Sequence, residues 1–150
     1  MRRMLTLATS VAMLAACGSG NDSRDLALRH TTLSYRYEVT ADSLPPHANE
    51  WIHYAITVLD RKSEQPIQNG EGQIYGQLGP GGHPYTWDSF VYGPEVGTYH
   101  AKLRFAIAGE NGTPWQMGLR FRRDSLAPLE VINWVQQVLP ERDINVKPPS

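Results

Sequence analysis

Tyr99-His100-Ala101-Lys102-Leu103-Arg104-Phe105-Ala106-Ile107 is the stretch on which the fold turns. Successive side chains of an extended chain point to opposite sides, so Tyr99, Ala101, Leu103, Phe105 and Ile107 share one face and His100, Lys102 and Arg104 the other. Trp115-Gln116-Met117-Gly118-Leu119-Arg120-Phe121-Arg122 repeats the pattern, with Trp115, Met117, Leu119 and Phe121 on the apolar side. Between the two arms, Gly109-Glu110-Asn111-Gly112-Thr113-Pro114 supplies turn residues, which predicts a hairpin closing around Asn111. That hairpin would set His100, Lys102 and Arg104 beside Arg120 and Arg122.

Upstream, Trp51 to Asp60 is rich in β-branched and aromatic residues and runs into the polar turn Arg61-Lys62-Ser63-Glu64-Gln65-Pro66, as a long central strand would. Leu33 to Val39 alternates and stops at Ala41-Asp42-Ser43-Leu44-Pro45-Pro46. Shorter strands are expected over 73–78 and 86–92, on either side of the loop Gly79-Pro80-Gly81-Gly82. Short strands punctuated by turns predict an all-β chain, with an immunoglobulin-like antiparallel β-sandwich over residues 30–124. Downstream the spacing changes. Leu129, Ile132, Trp134, Val135, Val138 and Leu139 recur three and four residues apart, Asp124 or Ser125 can cap, and Pro128 suits a first turn. A short amphipathic helix ending at Pro140 is expected, with a strand from Leu129 to Val135 as the alternative, so that residues 125–150 form a helix and a loose tail.

The N-terminal region gives an address. Arg2 and Arg3 precede an uncharged apolar run from Met4 to Ala16, too short for the roughly 20 residues of a membrane span and matching a secretory signal. Leu14-Ala15-Ala16-Cys17 resembles the lipobox of bacterial lipoproteins, which implies cleavage after residue 16 and a diacylglycerol on Cys17. Residues 1–16 are thus read as a lipoprotein signal peptide and 17–29 as the lipidated cysteine and a flexible tether. The expected location is the extracytoplasmic side of the cell envelope, with the membrane bound through the lipid on Cys17. Gly18, standing where an aspartate would signal inner-membrane retention, favours the outer membrane in a Gram-negative cell. Cys17 is the chain's one cysteine, which rules out an internal disulfide. Loss of Arg2 and Arg3 moves the formal net charge from −1 down by two, which disfavours nucleic-acid binding.

The five histidines, His30, His47, His53, His83 and His100, are the places to seek a metal, copper above all, with His83 and one or more of His47, His53 and His100 as the candidate set, although their spacing fits no ligand signature. Met117 lies on the apolar face and reads as core. The basic residues Lys102, Arg104, Arg120 and Arg122 make a docking surface for an acidic partner or anionic lipid, if they are not balanced by carboxylates such as Glu38. Tyr75, Tyr85, Trp87, Phe90 and Tyr92 either fill the core or grip a sugar or peptide, and the second use requires a row of exposed rings on one face. No nucleophile elbow, paired-cysteine motif or phosphate loop is present, so no catalytic residue is nominated and no cofactor is implied.

Ile56-Thr57-Val58-Leu59-Asp60 with the Gln65-Pro66-Ile67 turn, then Gly97-Thr98-Tyr99-His100-Ala101-Lys102-Leu103, then Gly112-Thr113-Pro114-Trp115-Gln116-Met117-Gly118-Leu119, resemble the YtkA-like and FixH group of extracytoplasmic immunoglobulin-like domains. Members of that group are membrane-anchored or lipoprotein accessory domains, some linked to copper handling and oxidase assembly, so the resemblance implies binding rather than catalysis. The methionine- and histidine-rich stretch of a copper carrier is missing, and the metal role does not carry over. The expectation is a lipid-anchored, non-enzymatic envelope protein that binds a partner protein or complex. A periplasmic copper-binding protein and a carbohydrate-binding module are the alternatives.

Overall fold

The computed structural model describes residues 25–79 and 81–143; the expected signal peptide, Cys17 and the end of the tail lie outside the described residues. Strands β1 (Asp25–Thr31), β2 (Tyr35–Ala41), β3 (Trp51–Asp60), β4 (Glu71–Gln77), β5 (Tyr85–Ser89), β6 (Val91–Tyr92), β7 (Thr98–Arg104), β8 (Trp115–Arg122) and β9 (Glu130–Gln136) form two antiparallel sheets. The first sheet has the order β1-β2-β3-β7-β6 and the second β5-β4-β8-β9. With β1 set aside, this is the A-B-E-D against G-F-C arrangement of an immunoglobulin-like sandwich, β5 extending the second sheet beside β4.

The core lies between the sheets because alternation gives each strand one apolar side. Ile52, Tyr54, Ile56 and Val58 of β3, Tyr99 and Leu103 of β7, and Trp115, Met117, Leu119 and Phe121 of β8 are all buried. Burying each such side chain is worth roughly 1.5–3 kcal/mol. The rings meet edge to face, Tyr35 with Phe121 at 5.1 Å between centroids and Phe105 with Trp115 at 4.9 Å. Tyr99 also ties down the chain before β4: its hydroxyl donates to the Ile67 carbonyl (2.7 Å) and accepts from the Gly70 N–H (2.9 Å).

Five expectations need correction. The arms around Asn111 are not a hairpin, since β7 belongs to the first sheet and β8 to the second. Both apolar faces must bury against something, and facing each other across the core satisfies them better than lying side by side. The chain between them turns through a 3₁₀ turn at Glu110–Gly112, where Asn111 (φ 52°) and Gly112 (φ 77°) take left-handed backbone. Ile107, assigned to the apolar face, lies on this crossover and is exposed.

The C-terminal helix is replaced by β9. Its β-branched residues fit a pleated surface, and the free edge of β8 offers a continuous register from Phe121↔Glu130 to Trp115↔Gln136. Ile132 faces inward while Val131 and Val135 are exposed, which is a period of two. Asp124 does cap, but it caps a turn, its Oδ1 accepting from the Leu126 and Ala127 N–H groups at 2.9 Å each. Residues 25–29, assigned to the tether, belong to β1, which pairs with β2 through a bulge between Leu26 and Leu28. Finally, 86–92 is two strands rather than one. The chain changes sheets at Phe90, whose ring packs over Gly72, where a β-carbon would come within 2.3 Å of it, and stands near Phe121.

Candidate functional site

Register places three rings together on the outer face of the second sheet. Tyr75 of β4 lies directly opposite Trp87 of β5, and Tyr85 is two residues along β5 from Trp87. The Tyr75 and Tyr85 rings are near-parallel, inclined at 30° with centroids 6.2 Å apart. Trp87 is 55% exposed and Tyr85 47%, values that separate them from the buried core aromatics. Tyr75 is half-buried because it lies against the sheet on the neighbouring strand. A β-carbon on Gly118, its partner on β8, would fall 2.1 Å from the Tyr75 ring. Glycine weakens a strand interior and often marks a close approach, and here the approaching group is this ring.

Polar side chains continue the face. The cross-strand row beside the rings runs Tyr85, Gln77, Gln116, Val135, the next Trp87, Tyr75, Gly118, Asn133, and the third Ser89, Gln73, Arg120, Val131. Four carboxamides therefore flank the rings. Arg120 donates to the Gln73 side-chain oxygen. The carboxylate this register sets outward, Glu71, is held by Arg122 through two bonds of 2.7 and 3.0 Å.

The outer face of the first sheet is built differently. Its polar side chains close on one another: Arg29 with Glu38 at 2.7 Å, Arg36 with Glu64 at 2.9 Å, His53 with Asp42 at 2.9 Å and His100 with Glu95 at 3.1 Å. Lys102 stands 5.1 Å above the Trp51 ring, and Arg104 donates to the Asn49 carbonyl. Two aspartates join the two sheets. Asp88 of β5 accepts the Lys102 backbone N–H at 2.8 Å, beyond the reach of the short β6, which pairs only with Tyr99 and His100. Asp60, at the end of β3, accepts from the Ser63 N–H and from Arg123 after β8, and these bonds hold its carboxyl far below the usual carboxylate range.

The proposed docking set is thus divided, with Lys102 and Arg104 on one outer face and Arg120 and Arg122 on the other. The histidines do not converge either. His47 contacts the Pro140 carbonyl (2.7 Å), and His83 sits exposed in the β4–β5 loop. His53 and His100 line one shallow hollow with Asp88, yet each turns to its own carboxylate. Among the described residues, no three histidine, cysteine, aspartate or glutamate side chains are grouped to hold a metal ion.

Of the five central aromatics, Tyr85 and Trp87 are exposed with the half-buried Tyr75 beside them on one face; Phe90 packs on the core, and Tyr92, also exposed, belongs to the first sheet. Gly118 and the flanking Gln73, Gln77, Gln116 and Asn133 were not among the sequence candidates. Alternation shows that they point outward, but only the pairing of β4 with β5 and β8 shows that they share a surface with the rings. No protein-family model matches the chain, and neither a curated protein nor a solved structure is significantly similar to it.

Proposed function

We propose that the chain is a lipid-anchored, non-enzymatic binding domain of the cell envelope, accessory to a partner held at that surface. The observation that carries the binding part is the outer face of the second sheet. The core is complete without Tyr85 and Trp87, and large apolar rings left in water beside ordered polar groups are characteristic of an interaction surface. The anchoring part rests on Leu14-Ala15-Ala16-Cys17 and on the polar residues Gly18 to Ser23, which lead from the cysteine to β1. Several acyl chains on one cysteine hold a protein firmly to a bilayer where a single chain would not. The resemblance to the YtkA-like and FixH group adds an accessory role to this reading.

Labelling cells with a radioactive fatty acid, followed by membrane fractionation, tests the anchor. The expected result is a labelled, membrane-bound chain, and a Cys17→Ala version that carries no label. An unlabelled wild-type chain that stays in the soluble fraction overturns the reading.

A further inference from the structure

We infer that the Tyr75–Tyr85–Trp87 platform is a saccharide-binding site, and that its ligand is an N-acetylated glycan strand of the cell wall. The inference deepens the binding-domain reading and rests on it. A pyranose ring presents axial C–H groups on one face and hydroxyls around its rim. It is recognised by an aromatic surface that covers the apolar face and by side chains that reach the rim. Both parts are present. Trp87 and Tyr85 offer exposed ring area, and Tyr75 is laid against the sheet over Gly118, so the rings form a shallow platform rather than a pocket. The near-parallel Tyr75 and Tyr85 rings, 6.2 Å apart, suit neighbouring sugars of one chain better than a single small molecule.

The polar set selects among glycans. Gln77, Gln116 and Asn133 are carboxamides offering both a donor and an acceptor, Gln73 adds its amide N–H groups while its oxygen accepts from Arg120, and an N-acetyl group presents the complementary amide N–H and carbonyl. Charge agrees. The outward register carries one carboxylate, Glu71, already neutralised by Arg122, while Arg120 is held by a neutral glutamine. The face therefore presents net positive charge on a chain whose formal charge is −1, and repels neither a neutral glycan nor the carboxylates of peptides attached to a wall strand. A row of amides beside near-parallel rings on a shallow surface matches a sugar chain more closely than the anchor-and-pocket pattern of a protein partner.

The test is calorimetric titration of the purified full chain with the β-1,4-linked hexamer of N-acetylglucosamine and with cellohexaose, alongside co-sedimentation with purified sacculi. The N-acetylated hexamer and the sacculi should bind, with cellohexaose weaker. Trp87→Ala and Tyr85→Ala should each weaken binding by about tenfold or more, whereas Trp51→Ala on the opposite face should not. Gly118→Ala, which must lift the Tyr75 ring, should weaken binding without unfolding the chain, as checked by thermal melts. Binding of cellohexaose equal to that of the N-acetylated hexamer overturns the amide assignment. Binding of the hexamer but not sacculi overturns the wall strand as ligand, and no ring-dependent binding to any of the three overturns the site. A chain that labels at Cys17 and fractionates with membranes yet binds none of them loses this inference while keeping the anchored-domain reading.

Discussion

The two outer faces of the sandwich are both antiparallel sheets, and they treat their polar groups in opposite ways. On the first sheet, arginines, histidines and carboxylates meet across neighbouring strands and turns, and the one exposed tryptophan is covered in part by Lys102. On the second, rings lie beside carboxamides that have capacity left for further hydrogen bonds, and a glycine is kept beneath a tyrosine. A face whose charges pair internally has little left to offer a ligand, while a face of rings and amides does. What distinguishes them is therefore the unsatisfied capacity of the surface rather than its total polarity.

The links that hold the two faces together give the largest expected effect. Replacing Asp88 by Ala leaves the Lys102 N–H without its acceptor and frees β5 from β7, and should cost about 1–3 kcal/mol in urea denaturation. An unchanged midpoint would mean that the platform strand does not depend on the first sheet. Asp60 gives a pH signature. Its folded value is depressed, so it contributes stability above the ordinary aspartate value of 3.8, and that contribution is lost as the pH falls below it. Melting temperatures measured from neutral pH down to acid should fall less steeply for Asp60→Asn than for the wild type over that acid range.

Smaller effects sharpen the contrast between the faces. Arg29→Ala or Glu38→Ala should cost less than about 1 kcal/mol, because the pair is solvent-exposed, and the difference from wild type should shrink in high salt. Trp87→Ala should change stability least, within about 0.5 kcal/mol, since more than half of the residue is exposed and it is not part of the core cluster. A large loss of stability at position 87 would place that ring in the fold rather than in a site.

Much of this molecule is legible in its sequence, and the failures share a cause. Alternation in 99–105 and 115–121 identifies the buried faces correctly down to Met117, because period two is a local property. Which strands pair is not local. The Asn111–Gly112 turn is genuine left-handed backbone, yet it serves a crossing between sheets, and the basic residues predicted to cluster end on opposite faces. The helix expectation failed similarly: apolar residues spaced three and four apart also contain a two-residue alternation, and only the open edge of β8 decides between them. The aromatic set was visible as composition, but its division into Tyr75, Tyr85 and Trp87 against Phe90 and Tyr92 follows from a sheet switch at one residue.

The central claim is that the outer face of the second sheet is the one that meets a ligand. A photoreactive amino acid placed in living cells at Gln116, and separately at Glu38 on the first sheet, tests it most directly. Covalent adducts at position 116 that are lost with Trp87→Ala, and none at position 38, are the predicted result. Adducts at 38 alone would contradict it.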